Sequence, residues 1–166
     1  DEESKQLTNQ SETIRKRLIA HYAEAIYTPE GLNKPLLAAK IFQDPAQLRI
    51  VNGIIHPEVK RHFETWAAKQ TTPLCAIESA ILFESGFDRV VDTSLMVYAP
   101  KALRIERATA RDAASREAIQ RRIESQMADE EKRKLADHLI YNDDQQPLIP
   151  QVTAFLARLL NKGNTF

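Results

Sequence analysis

Three arginines, Arg104, Arg107 and Arg111, recur at i, i+3 and i+7, which puts their guanidinium groups on one face of a helix. No carboxylate lies three or four residues from Arg107 in that segment, and like charges at such spacing destabilise an isolated helix by about 0.2–0.5 kcal/mol per pair. An anion relieves the repulsion, and guanidinium is the group best shaped for bidentate phosphate contact. Arg116, Arg121 and Arg122 follow on the next helical segment and can close over the same anion. The plainer alternative is a solvated basic face, or ion pairs to Glu78 and Glu84. Spacing alone leaves the two readings level.

Glu84 follows an apolar run, Leu74 to Phe83, and precedes a break at Ser85-Gly86. In an open α/β sheet that is the edge where ligands bind; a carboxylate there orders Mg²⁺ waters or pairs with an arginine. Glu78, on the same side of the run, reads as a paired, half-buried charge. His56 before Pro57 serves as a helix stop with a satisfied ring. His21, His62 and His138 share no metal-ligand spacing with it or with Cys75, so no metal site is expected. Cys75, the single cysteine, lies in the apolar run and reads as a buried, inert thiol. Only Gly31, Gly53, Gly86 and Gly163 are present, so there is no glycine-rich phosphate loop anywhere in the chain.

The elements that must position these residues are legible in outline. Ile14, Leu18, Tyr22 and Ile26 form a stripe of helical period, ended by Thr28-Pro29-Glu30-Gly31. Asn33 caps a second helix with Pro35 in its first turn and Leu36, Leu37, Ile41 and Phe42 as its apolar face. Asp44-Pro45 opens a third, ending before His56-Pro57, and Val59, Phe63 and Trp66 mark a fourth. The period then changes. Leu74 to Phe83 predicts a strand covered on both faces, and Leu95 to Tyr98 a second. Helices follow over 101–112, 115–127 and 129–136, then a strand over 138–141 and an amphipathic helix from Leu148 to Asn161, closed by Gly163. Strands separated by helices imply parallel pairing, hence an α/β fold.

The chain has 166 residues, 43% of them apolar, enough for one domain with a sizeable core. Lys plus Arg equals Asp plus Glu at 23 each, which argues against a nucleic-acid or membrane-surface binder. One cysteine suits a reducing compartment, and no apolar run reaches membrane-span length. A cytoplasmic location is expected.

In order along the chain, several segments resemble the dephospho-coenzyme A kinase family. They are Asp1-Glu2-Glu3-Ser4-Lys5-Gln6-Leu7, Gly31 to Leu37, Val51 to Pro57, Ile81 to Gly86, Leu103 to Asp112, Arg122 to Gln126 and Ala136 to Asn142. The resemblance covers nearly the whole chain. It implies one P-loop kinase domain over 1–166, with a helical coenzyme A subdomain at 8–70, a nucleotide-binding core at 71–107 and 135–166, and a lid at 108–134. It also implies ATP with Mg²⁺, phosphorylating the ribose 3′-hydroxyl of dephospho-coenzyme A, and a monomer or small homo-oligomer. Carried over, Asp1 matches the base for the 3′-hydroxyl and Arg107 the catalytic arginine. Arg104, Arg111 and Asn142 would serve ATP and its phosphates, while Asn33, Lys34, His56 and Glu84 would serve the substrate.

Two departures stand out. The family's opening strand and its Gly-rich loop with Lys-Ser/Thr are expected upstream of Asp1, so this chain alone is expected to be weak or inactive. Ala80 replaces the proline usual before the Leu-Phe-Glu run. Two rivals remain: a nucleoside monophosphate kinase relative, against which the long helical insert before Leu74 argues, and a non-catalytic module that binds coenzyme A or a protein partner.

Overall fold

The computed structural model describes residues 2–41 and 44–162. Asp1, Phe42 and Gly163 lie outside the described residues. The chain forms two compact units, 1–80 and 81–166.

The first unit is helical. Its elements are α1 (Glu2–Gln10), α2 (Glu12–Tyr22), a 3₁₀ turn at Glu24–Ile26, β1 (Tyr27–Thr28), β2 (Gly31–Leu32), α3 (Lys34–Ile41) and α4 (Pro45–Ala67). Each of the last three helix starts has its cap. Ser11 Oγ accepts from Ile14 N, Asn33 Oδ1 from Leu36 N at 3.2 Å and Asp44 Oδ1 from Ala46 N at 2.7 Å. Ile14, Leu18 and Ile26 are fully buried among Tyr27, Leu37, Val51 and Ile54; burying each such side chain stabilises by roughly 1.5–3 kcal/mol. The stripe expected to run unbroken through Ile26 is α2 followed by the 3₁₀ turn, which still delivers Ile26 to the same core.

The Thr28–Gly31 turn does more than end a helix. It is a hairpin, with Tyr27 opposite Leu32 and Thr28 opposite Gly31. Gly31 has φ +126°, and a Cβ there would sit 2.6 Å from Asn9 Oδ1. That same oxygen accepts from Leu32 N at 2.8 Å, so only glycine fits.

The helix predicted to stop before His56-Pro57 continues: α4 spans 23 residues with Pro57 inside it. Proline removes the bond to the carbonyl four residues back and crowds it. That residue is Gly53, and α4 runs on through the lost bond. Burial of Val51 and Ile54 holds the first half, and an Arg61–Glu58 pair and a Thr65-to-Arg61 bond support the second.

The second unit holds a 3₁₀ turn at Phe87–Val90, β3 (Leu95–Tyr98), α5 (Lys101–Asp112), α6 (Arg116–Glu124), α7 (Asp129–Leu135), β4 (His138–Tyr141) and α8 (Leu148–Lys162). β3 and β4 are parallel, from Leu95 opposite His138 to Tyr98 opposite Tyr141, with α5 to α7 as the crossover. Ser94 N and Oγ both donate to Asp137 Oδ2, at 2.8 and 2.7 Å, and pin the start of the pair. On the outer edge of β4, Gln151 of α8 replaces a neighbouring strand. Its Oε1 accepts from Tyr141 N and its Nε2 donates to Tyr141 O.

The strand predicted over Leu74 to Phe83 is not formed. Residues 74–79 are irregular and 80–86 are turns. An apolar run becomes a strand only beside a hydrogen-bonded neighbour, and among the described residues the parallel sheet contains β3 and β4 alone. The backbone coils instead. Ser85 N and Oγ both donate to Ile81 O, at 2.9 and 2.6 Å. Cys75 and Glu78, expected to be buried and half-buried, are therefore exposed.

Candidate active site

The arginine helix begins where β3 ends. Tyr98 leads through Ala99 and Pro100 into α5, so the helix departs from the carboxyl edge of the parallel pair. Asn142 follows β4 at the same edge, and its N–H donates to Tyr98 O at 2.8 Å. Side chains carried there face the region where open α/β sheets bind ligands.

The three arginines share a helix face and have different partners. Arg104 Nε donates to Ala99 O at 3.1 Å, and its Nη2 pairs with Asp129 at the start of α7. Arg107 Nη1 donates to the Asn142 carbonyl at 2.9 Å, and Nη2 to Asp144 Oδ1 at 2.6 Å. Arg111 is 75% exposed and pairs with the adjacent Asp112 at 2.7 Å, which Arg122 also reaches at 3.2 Å. The Arg111 hydrogen bond holds the Asp112 carboxyl below its usual range, and Arg122 adds to it. None of the three pairs with Glu78 or Glu84, the partners the plainer reading named. Their carboxylates are Asp129, Asp144 and Asp112.

Glu84 pairs with a lysine rather than an arginine. Its Oε1 accepts from Met127 N at 2.8 Å and from Lys132 Nζ at 3.0 Å, which ties it to the α6–α7 connection and to α7. Burial pushes the Glu84 carboxyl up. Its own backbone N–H, Lys132 and Met127 outweigh that and bring it below the ordinary 4.5.

Asn33, Lys34 and His56 belong to the first unit. Asn33 is committed at both ends: Oδ1 caps α3 and Nδ2 donates to Ala25 O at 3.4 Å. Lys34 is exposed on the first turn of α3. His56 is half-buried in α4, and burial lowers its pKa from 6.5, which favours the neutral ring. Among the described residues no three His, Cys, Asp or Glu gather into a metal-ligand set, and no helix is long and apolar enough to cross a membrane.

Sequence reasoning missed Asp129, Asp144 and Lys132. An acidic pair one residue past β4, Asp143-Asp144, was the available signal for one of them. It also missed an aromatic cluster at the sheet edge, where Arg133 lies 4.9 Å over the Tyr98 ring and Tyr98 meets Tyr141 edge-on at 5.8 Å.

A solved structure from Thermus thermophilus is 30% identical and superposes with a TM-score of 0.73 over 89% of this chain and 75% of that one. A dephospho-CoA kinase from Campylobacter jejuni, 21% identical, gives 0.64 over 99% and 84%. These likenesses define the class, an α/β protein of the P-loop NTPase fold. The family model described as dephospho-CoA kinase matches residues 1–147. A Bacteroides fragilis dephospho-CoA kinase is 48% identical over 163 residues, 98% of this chain and 80% of its own length. The chain belongs to the dephospho-CoA kinase family, and so to the kinases among the transferases.

Proposed function

We propose that the protein transfers the γ-phosphoryl group of ATP to the ribose 3′-hydroxyl of dephospho-coenzyme A. Family membership over residues 1–147 supports the reaction class. The observation that carries the site is Arg107, which reaches Asn142 at the carboxyl end of β4. In the reaction the 3′-oxygen bonds to the γ-phosphorus while the bond to the β-phosphate oxygen breaks and ADP leaves. The hydroxyl proton goes to a carboxylate, for which Asp1 is the candidate, a residue outside the described ones.

Phosphoryl transfer asks the protein for positioning and for stabilisation of charge on the equatorial oxygens. Arg107 meets the second need with donors already held in place. Arg111, solvated and one turn on, and Arg104 near the helix start extend the same positive face. Asn142 lies beside the nucleotide. Lys34 and His56 read the substrate with Asn33, in a helical subdomain over 8–70. The core comprises 71–107 and 135–166, and 108–134 forms a lid that excludes water.

The described residues offer no protein cage for Mg²⁺. That ion needs few carboxylates and is otherwise held by substrate phosphates; when bound it neutralises their charge.

The test is to incubate the protein, in its full natural length, with ATP, Mg²⁺ and dephospho-coenzyme A and to follow the products by mass spectrometry. One added phosphate at the ribose 3′ position is expected. Phosphorylation of AMP at comparable efficiency would move the assignment to a nucleoside monophosphate kinase. Binding of dephospho-coenzyme A with no product would make the protein a binding module.

A further inference from the structure

Arg107 is gripped from one side by the segment that leaves β4. Asn142 O accepts from Nη1 at 2.9 Å and Asp144 Oδ1 from Nη2 at 2.6 Å. Asp144 has φ +63°, in the left-handed region that residues other than glycine enter at a cost, aspartate less than most. Asp143 builds the turn around it, since its Oδ1 accepts from Gln145 N at 3.0 Å and Gln146 N at 3.1 Å. The Asp144 carboxylate is thus delivered by a preset loop, although the side chain itself is 69% exposed. A guanidinium carries five N–H donors, and these two bonds leave three.

We propose that Asp144 is a positioning residue for Arg107. With the Asn142 carbonyl it fixes the plane of the guanidinium at the carboxyl end of β4, and the remaining N–H groups are presented to the transferring phosphoryl group. This rests on the reading of Arg107 as the catalytic arginine. An ion pair so exposed contributes little to stability, so loss of the carboxylate is to be read in kcat rather than in unfolding. A side chain with long rotatable stems gains most from being held, because misplacement by about 1 Å costs on the order of 10²-fold in rate.

The test is steady-state kinetics on the full-length protein with Asp144→Gly, Asp144→Asn, Arg107→Ala, Arg107→Lys and the Arg107→Lys/Asp144→Gly double variant. Glycine removes the carboxylate and accepts the positive φ without strain. Asp144→Gly is expected to lower kcat by about 10²-fold, with KM for ATP and for dephospho-coenzyme A within about twofold. Asp144→Asn, which keeps an acceptor and tolerates the same backbone, should restore about tenfold of that loss. In the Arg107→Lys background Asp144→Gly should change kcat by less than about twofold, since the two act as a unit. If Arg107→Ala abolishes turnover while Asp144→Gly leaves kcat unchanged or raises it, the positioning role is overturned. If Arg107→Ala leaves turnover intact, the catalytic reading of Arg107 fails first and takes this role with it.

Discussion

The Glu84 carboxylate accepts the backbone N–H of Met127 at 2.8 Å, and the same oxygen accepts from Lys132 Nζ at 3.0 Å. One side chain thereby fastens the end of the α6–α7 connection to the turn before Phe87. The pairing holds its carboxyl below the ordinary range despite the burial that pushes it up.

Glu84→Ala removes both bonds. The expected loss is about 1.5–3 kcal/mol, the range for hydrogen bonds to a charged group, and towards its lower end because the carboxylate is still 24% exposed. Urea unfolding at pH 7 measures it. The pH dependence has a definite sign. The folded pKa lies below the ordinary 4.5, so the unfolded state binds the proton first as pH falls. The stabilisation is complete above 4.5 and declines as pH drops through the folded value. Glu84→Gln does not titrate, so the gap between wild type and this variant should narrow on acidification below pH 4.5. A gap that stays constant would show that the carboxylate charge contributes nothing.

Arg104 and Arg107 should separate in their effects. Arg104 is 30% exposed and bonds Ala99 O and Asp129, joining the helix start to α7. Arg104→Ala should cost about 1–2 kcal/mol of stability. Arg107, 37% exposed and bonded to the loop after β4, should lose little stability on Arg107→Ala. Its turnover should instead fall by about 10³-fold or more, the scale for removing an arginine from a phosphoryl-transfer site. Thermal melts run beside turnover assays decide this; a reversal of the two patterns would assign the catalytic role to Arg104.

What the sequence made legible depended on whether the information was local. The capping roles of Asn33 and Asp44 follow from one side chain and an N–H two or three residues on, and each cap is present. The helix at 101–112 and the strands at 95–98 and 138–141 carry periodicity within themselves. Leu74 to Phe83 does not: whether it pairs depends on a neighbouring strand, and apolarity alone says nothing of one. Pro57 misled for the opposite reason, because a strong local stop was overridden by Val51 and Ile54 packing. The common helix face of Arg104, Arg107 and Arg111 was legible from spacing. Their partners Asp129 and Asp144 were not, since they stand 25 and 37 residues away and meet them only through the fold.

Gly31→Ala tests the hairpin. A methyl group would meet Asn9 Oδ1 at 2.6 Å, and alanine does not tolerate φ +126°. Either the Leu32 N–H loses its bond to Asn9 or the turn shifts and draws Leu32 with it. The expected cost is about 1–3 kcal/mol, as for a residue forced into a disallowed backbone region. Gly53→Ala, at an uncrowded helical position, should instead be neutral or stabilising by up to about 1 kcal/mol. Equal melting temperatures for Gly31→Ala and wild type would mean the hairpin is not held as described.

Asn33 and His56, both proposed to contact the substrate, differ in what else they hold. The Asn33 amide caps α3 through Leu36 N and reaches Ala25 O, so Asn33→Ala should lose about 0.5–2 kcal/mol, the usual cost of an N-cap. Asn33→Asp keeps the capping oxygen but faces Ala25 O with a carboxylate oxygen in place of the donor, so it should recover most of the capping stability. His56 makes no such cap; it is a half-buried ring whose burial favours the neutral form at pH 7. His56→Ala should therefore raise KM for dephospho-coenzyme A while leaving KM for ATP unchanged. If Asn33→Asp restores stability and the substrate KM stays high, Asn33 touches the substrate through its amide nitrogen. If Asn33→Asp restores both, its role is to hold α3, and with it Lys34, in place. A defect specific to ATP in His56→Ala would move the substrate subdomain elsewhere in the chain.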